Sequence, residues 1–381
     1  MGQGLDVLAV KRVNTIMAEL RDQRDIPQRL RFLERINEVE TTEGEIRGRF
    51  KGNVYISDIL FEGAVAVVKG GQKYTTFTSA IPKFKHGIHI PEEMVSLLLR
   101  LEKGAGIGFD ELTLRGYVAN READILLGIR ERKNAVVIAM LLDDFNYSNG
   151  GVVISGAGWG VPAAFKTTVN PWYTAATGAP ITSATPISDI STQRQASMEI
   201  YGEARNRLTL SSVALRGILG TDEFKAKAQL YSMLSFPTGS FPLLADLGPQ
   251  LSLLKTILDD GTGPMVIEVD DSRYWDLTDS GAEVSTRFWP QNKVMLSNSA
   301  DDNDNRAAYF GKVVVPETAV SSLVDVGGVI GRFESESFGP VSWAEAPSLN
   351  PPDVNIWGAD KGWPVRNRLG MVDILTVATA P

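Results

Sequence analysis

The pattern of hydrophobic and polar positions predicts a long two-stranded ribbon between residues 44 and 91. Its two arms, residues 52–61 and 74–81, are rich in β-branched and aromatic residues, as strands are. The segment that joins the arms contains Gly70 and Gly71, flanked by Lys69 and Lys73. These glycines supply the positive φ that a tight turn needs. Because an isolated hairpin is only marginally stable in water, a ribbon this long needs a surface to lie on. We expect a neighbouring subunit to provide it.

A helical pattern runs from Glu111 to about Asp144, where no proline interrupts the chain. At 1.5 Å per residue, this predicts a helix about 50 Å long. Shorter patterns predict helices at 188–205 and 212–218, and strands at 208–211, 265–270 and 371–378. The apolar residues of the long helix recur on one side at helical spacing: Ala119, Ala123, Leu126, Ile129, Val136, Val137, Met140 and Leu141.

The first 40 residues form a charged, partly amphipathic segment. Arg12, Arg21 and Arg24 lie among apolar residues near helical spacing, and Pro27 ends the first helical pattern. Such a segment is either a surface helix or an arm that pairs with a neighbouring molecule, and the pattern favours neither.

Composition narrows the class of protein. The 381 residues are 43% hydrophobic and 22% charged, which is typical of a soluble globular chain with two or three domains. No cysteine is present, so disulfides and thiolate metal sites are excluded. The net charge of −8 argues against a dedicated nucleic-acid binder. The longest apolar run is about eight residues, whereas a membrane span needs about 20, and the N-terminus lacks the layout of a secretory signal.

Catalytic chemistry has little support in the sequence. The two histidines, His86 and His89, have an odd spacing that places them on opposite faces of a strand, which suits neither a metal chelate nor a catalytic triad. The glycine clusters at 104–108 and 156–160 lack the context of a phosphate-binding loop and are interpreted as loop glycines. We therefore predict no catalytic, cofactor-binding or metal-binding residue.

Carboxylates leave one alternative of a different class. A hydrolase could use Asp270, Asp271 or Asp301. The acidic run at 301–305 lacks the glycine and closing glutamate of a calcium-binding loop, and we interpret it as a solvated turn. The triplet Asp279-Ser280-Gly281 resembles half of an aspartic-protease dyad, but no suitable second half exists.

The order of elements is the most specific signal: a charged arm, a long ribbon, a short helix, a very long helix, a mixed body and a terminal strand. Local motifs follow the same order. They are Phe32-Leu-Glu-Arg with Thr41-Thr-Glu-Gly-Glu-Ile, then Ile81-Pro-Lys-Phe-Lys-His-Gly, Arg121-Glu-Ala-Asp-Ile with Asp143-Asp-Phe-Asn-Tyr-Ser, Trp172, and Pro186-Ile-Ser-Asp-Ile. Over nearly its whole length the chain thus resembles the major capsid (head) proteins of tailed phages, specifically the lambda-type head protein family with the Hong Kong 97-type capsid fold.

The resemblance implies an α+β phage capsid fold of four parts. These are an N-terminal arm (1–45), a long β-hairpin extended loop (46–91), a peripheral domain with a long spine helix (92–185 and 325–381) and an axial domain (186–324). It implies a structural virion protein, not an enzyme, that self-assembles as hexamers and pentamers into the icosahedral head around phage DNA. Assembly is expected in the bacterial host cytoplasm.

Partners follow from the same resemblance. Besides its own copies, the chain is expected to meet a scaffolding protein, a portal and a decoration protein, with packaged DNA as a non-specific neighbour and no membrane or cofactor. The alternative within the class is an encapsulin-like compartment shell. The predicted subunit-interface residues are Arg12, Arg21, Arg24, Lys69, Gly70, Gly71, Lys73, Lys83 and Lys85.

Overall fold

The structure of the chain is a computed structural model, and it describes a defined set of residues. In several strands it describes the backbone alone. The described residues are 32, 37–40, 45–51, 74–80, 83–91, 93, 111–149, 152–158, 161, 163–202, 205–231, 247–259, 265–277, 282–298, 308–312, 341–349, 352–366 and 372–378.

The described elements form a mixed α+β chain. In order they are β1 (Asn37–Glu40), β2 (Glu45–Lys51), β3 (Tyr74–Ala80), β4 (Lys83–Ile90), α1 (Glu111–Leu141), β5 (Phe145–Asn149), β6 (Val152–Ala157), β7 (Lys166–Thr168), α2 (Pro186–Tyr201), β8 (Arg207–Leu210), α3 (Ser212–Leu219), α4 (Asp222–Tyr231), α5 (Leu247–Leu258), β9 (Val266–Val269), β10 (Arg273–Leu277), β11 (Glu283–Arg287), β12 (Lys293–Ser297), β13 (Ala308–Lys312), β14 (Val341–Leu349), β15 (Pro352–Arg366) and β16 (Val372–Thr376).

The chain divides into two compact units. The first comprises Met1–Arg49, Asp58–Asn134 and Tyr309–Val365, and the second comprises Phe50–Ser57, Ala135–Ala308 and Arg366–Pro381. The first unit contains a sheet of order β1-β13-β15-β14, in which β4 also pairs with β15. The β4–β15 pairing is antiparallel and continuous over eight residues of β4.

The long predicted helix is confirmed as α1, which begins at Glu111 and ends at Leu141. Much of its predicted apolar face is buried, and Ala119, Ala123 and Leu141 are partly buried. Asp143 follows the helix with φ of 56°, a left-handed conformation that aspartate tolerates better than most residues. The predicted residues that are fully buried are Leu126, Ile129, Val136, Val137 and Met140.

Within the first unit, α1 and β15 are joined by a buried ion pair. Lys133 of the helix pairs with Asp360 of the strand, and the two side chains are 2% and 1% exposed. Charges this deeply buried are tolerated only when paired, because each loses its hydration. Glu122 and Asn134 of the same helix are also buried. The helix therefore contacts its surroundings through the buried Lys133–Asp360 ion pair as well as through its apolar face.

The second unit is built on a sheet of order β7-β16-β12-β8-β9. All four residues of β8 are buried, as expected for a central strand covered on both faces. The core of this unit also takes in side chains of α2, α3, α4 and α5, together with Trp172 and Tyr173 from the chain before α2. The predicted strands at 208–211, 265–270 and 371–378 correspond to β8, β9 and β16, and the helices at 188–205 and 212–218 correspond to α2 and α3.

A polar network fixes α2 to this sheet. Arg194 donates through Nε to the carbonyl oxygen of Arg205 at 2.7 Å. Ser197 donates its hydroxyl to Asp373 at 2.5 Å, and Arg205 Nε lies 3.4 Å from the same carboxylate. Burial raises the pKa of Asp373, and the hydrogen bond from Ser197 and the charge of Arg205 offset part of that rise.

The predicted ribbon lies partly within the described residues. Strand β3 coincides with the predicted second arm, and it pairs with β2 in a two-stranded sheet. The predicted first arm, residues 52–61, and the turn at 69–73 lie outside the described residues. Strand β4 follows directly and joins the sheet of the first unit.

Candidate assembly surfaces

Among the predicted interface residues, Lys83 and Lys85 lie two positions apart on β4. The others lie outside the described residues: Arg12, Arg21, Arg24, Lys69, Gly70, Gly71 and Lys73.

Lys85 is exposed, and its ammonium group contacts a tryptophan ring of the same chain. Its Nζ lies 4.2 Å from the centroid of the Trp357 ring on the adjacent strand β15. This distance is within the range of a cation–π interaction, which contributes about 0.5–1 kcal/mol at an exposed site. The contact fixes the ammonium group at the surface of the sheet, where it remains accessible.

The two histidines of β4 have separate surroundings. His89 Nδ1 lies 3.2 Å from Oδ1 of Asn355, its cross-strand neighbour. His86 lies near Gly128 of α1. Burial lowers the pKa of His86, and the nearby Asp124 carboxylate opposes that shift. Each ring therefore serves a different contact, as their odd spacing predicted. In the described part of the chain, no three His, Cys, Asp or Glu residues are grouped to hold a metal ion.

The glycine cluster at 156–160 has a steric role at Gly158. A Cβ at this position would overlap the Asp143 carboxylate, and Asp143 in turn pairs with Lys166. Glycine is therefore required for the close approach of two backbone segments, in agreement with its interpretation as a loop residue. Residues 104–108, the other cluster, lie outside the described residues.

Two of the three carboxylates considered for a hydrolase, Asp270 and Asp271, accept hydrogen bonds within the fold. Asp270 is buried and accepts hydrogen bonds from Ser272, through its backbone N–H at 3.0 Å and its hydroxyl at 2.5 Å. Asp271 accepts from the backbone N–H of Ser212 at 3.2 Å and pairs with Arg287. Asp301 lies outside the described residues.

The pKa of Asp271 follows from these contacts. Burial acts to raise it, but hydrogen bonds from Ser212 and the Arg287 guanidinium together lower it below its ordinary value. Asp271 thus remains an ionised anchor that joins the start of α3 to the end of β11.

The antiparallel hairpin β10–β11 is a surface that the sequence did not reveal. Trp275 of β10 is 71% exposed, and Val284 of β11 is 42% exposed. On the other face of β10, Tyr274 packs on the buried Phe288, with ring centroids 4.8 Å apart. The hairpin is therefore anchored at its base while a large aromatic side chain faces solvent. The alternating pattern of Arg273-Tyr-Trp-Asp-Leu is the signal that could have identified the strand.

A second exposed apolar surface lies at the carboxyl end of α2. Met198 and Ile200 are 48% and 54% exposed, and Glu199 between them is exposed as well. Gly202 ends the helix in a left-handed conformation, and its N–H donates to the carbonyl of Met198. Leu230, at the end of α4, is 84% exposed. Exposed large apolar residues are informative where they cluster, because such patches mark interaction sites.

No helix in the described ranges is long and apolar enough to cross a bilayer.

Comparison with known proteins identifies the fold. No protein-family model and no curated protein sequence matches the chain. Among solved structures, it matches a phage-related protein from Bordetella bronchiseptica RB50 with a TM-score of 0.50 and 12% identity, over 96% of this chain and 97% of the other. A prophage protein from E. coli CFT073, assigned as a capsid protein, matches with a TM-score of 0.50 and 13% identity, over 96% of this chain and 99% of the other.

These matches run along nearly the full length of all three chains. At 12–13% identity they show the fold alone. The mixed α+β fold of this chain is therefore that of phage capsid proteins, as its order of elements predicted.

Proposed function

We propose that this chain is the major capsid protein of a tailed phage, of the lambda-type head protein family, and that it forms the icosahedral head around phage DNA. The observation that carries the proposal is the capsid fold, which extends over 96% of the chain. Copies associate as hexamers and pentamers, and these close into a shell. The chain acts as a structural component of the virion, with its assembly in the host cytoplasm.

The proposed layout keeps the four parts expected from the sequence. Residues 1–45 are the N-terminal arm, and residues 46–91 form the extended loop laid over a neighbouring subunit. Residues 92–185 and 325–381 form the peripheral domain, with α1 as its spine helix, and residues 186–324 form the axial domain. The residues that contact neighbouring copies are Arg12, Arg21, Arg24, Lys69, Gly70, Gly71, Lys73, Lys83 and Lys85. A scaffolding protein, a portal and a decoration protein complete the set of partners.

A structural role agrees with the chemistry of the acidic residues. Asp270 and Asp271 are engaged by Ser272, Ser212 and Arg287 in contacts that stabilise the fold. A hydrolase would instead need a carboxylate directed at a substrate site. Both matched proteins are phage-related, which favours a phage head over an enzyme-carrying compartment shell.

Size and nucleic-acid content of the purified protein test the proposal. We expect the expressed chain to elute as assemblies of megadalton size. Particles from phage-producing cells are expected to contain DNA, and the ratio of absorbance at 260 and 280 nm measures it. Particles that enclose a protein cargo without nucleic acid would support the compartment shell. A soluble monomer or dimer would contradict a shell of either kind and return attention to the carboxylates.

A further inference from the structure

We propose that the hairpin β10–β11 of one copy docks on the carboxyl end of α2 of a second copy, an inference that rests on the proposed shell function. We call the first surface the hairpin face, made of Arg273, Trp275 and Ser285. We call the second the helix patch, made of Met198, Glu199 and Ile200. Each is defined by residues that the structure describes.

The hairpin face combines the large apolar side chain of Trp275 with the exposed cation of Arg273. Arg273 and Trp275 lie two positions apart on β10, and Ser285 lies opposite Trp275 on β11, so all three share a face. Arg273 is exposed and donates from Nη1 to the Ser285 hydroxyl at 3.4 Å, which leaves its charge without a carboxylate in the described part of the chain. Tryptophan and arginine are the side chains most enriched at the energetic centres of protein interfaces.

The helix patch has the complementary character. Met198 and Ile200 offer adaptable apolar surface, and Glu199 between them is an exposed anion. Among the described residues, Glu199 has no cation as a partner within its own chain. A tryptophan against the methionine, with an arginine beside the glutamate, would satisfy both surfaces at once.

Both proposed surfaces carry exposed large apolar side chains. In the described part of the chain, the large hydrophobic residues that are notably exposed lie on this hairpin, at the end of α2 and at the end of α4. The neighbouring helices α2 and α4 are linked where Glu223 accepts from the backbone N–H of Ile187 at 2.8 Å. Exposed apolar side chains that lie beside a charged group are typical of surfaces that bind a partner.

A second copy is the occupant that the exposed charges favour. Arg273 of the hairpin face and Glu199 of the helix patch carry opposite charges, so these two surfaces of different copies attract. Contact between two different patches of identical chains is heterologous, and repeated contacts of this kind close into rings when the rotation allows. Hexamers and pentamers are rings of this type. In either ring, the hairpin of each subunit would be covered by the helix patch of the next subunit.

Exchange of the two charges tests the docking. Arg273→Glu and Glu199→Arg should each lower the fraction of protein in large particles by about tenfold or more, as expected for disruption at an interface centre. The double variant should recover most of the assembly, because the pair is restored with reversed sign. Trp275→Ala should impair assembly as the single charge variants do. Lys255→Glu, at an exposed lysine of α5, is the matched control and should assemble normally.

Sedimentation velocity measures the particles, and thermal unfolding confirms that each variant subunit is folded. Recovery in the double variant together with loss in each single variant supports the docking. Normal assembly of the single variants, or a double variant no better than they are, overturns it. A wild-type chain that remains monomeric would contradict the proposed function itself, which is a result distinct from either of these.

Discussion

The indole ring of Trp357 occupies the space that a side chain at Gly87 would need. The two residues are direct partners in the β4–β15 ladder, and a Cβ built on Gly87 would meet the ring at 3.0 Å or less. Lys85 lies over the same ring, 4.2 Å from its centroid. Glycine at this position therefore lets the tryptophan lie flat against β4.

Replacement of that glycine tests the contact. Gly87→Ala should destabilise the first unit by about 1–3 kcal/mol, because the ring must move away from the strand. Urea unfolding monitored by tryptophan fluorescence measures the change. Gly116→Ala is the matched control: apart from the helix's own backbone, no atom of the described residues lies within 4 Å of its added methyl group, and alanine favours a helix by about 1 kcal/mol. Equal stability of the two variants would show that Trp357 does not press on Gly87.

The buried ion pair gives a second prediction. Lys133→Met should cost about 3–5 kcal/mol, since it leaves the Asp360 carboxylate buried without its cation. The double variant Lys133→Met/Asp360→Leu should recover much of that loss, because two apolar groups replace the pair. Equilibrium denaturation measures both.

An exposed pair provides the control for this comparison. Lys225 and Asp222 lie 3.2 Å apart on α4, with side chains 37% and 71% exposed. Lys225→Met should change stability by less than about 1 kcal/mol. A similar small effect at Lys133 would indicate that the α1–β15 contact is open to water.

The lowered pKa of Asp271 predicts a pH dependence of stability. A carboxyl group whose folded pKa is below its unfolded value stabilises the fold above the unfolded value, near 3.8, and loses that contribution as pH falls through the folded value. Asp271→Asn should therefore be less stable than the wild type at neutral pH. The difference should shrink as pH falls below about 4. Thermal unfolding between pH 3 and 7 measures it, and a constant difference across this range would contradict the assignment.

The ribbon turn gives a prediction about assembly instead of folding. Lys69 and Lys73 are expected to meet carboxylates of an adjacent subunit in an otherwise acidic shell. Each exposed pair is worth only about 0–1 kcal/mol, but a closed shell repeats it many times. The double variant Lys69→Glu/Lys73→Glu should keep the wild-type melting temperature and form fewer particles. If this variant forms normal shells, the turn is not part of the interface between subunits.

Much of the fold could be predicted from local patterns. Helix α1 was evident because its span lacks proline and repeats apolar residues at helical spacing. Strands β3, β8, β9 and β16 were evident from β-branched and apolar runs. The burial of Lys133 could not be predicted, because its partner Asp360 comes from a strand far along the chain. No local pattern distinguishes such a lysine from an exposed one.

The candidate surface on β10–β11 was missed for a related reason. In the sequence, Asp279, Ser280 and Gly281 separate the two strands, and this triplet carries no information about which face of the hairpin is covered. The exposure of Trp275 depends on which face of the hairpin is anchored, and Tyr274 and Phe288 determine that through a tertiary contact.

Electron micrographs of the purified full-length chain test the central claim most directly. Class averages should show closed shells whose surfaces resolve into clusters of six and five copies. The physical reason is that a capsid fold with exposed, complementary surfaces gains its remaining stability through association with its own copies. A field of dispersed single subunits, at concentrations where the chain is folded and monodisperse, would contradict the account.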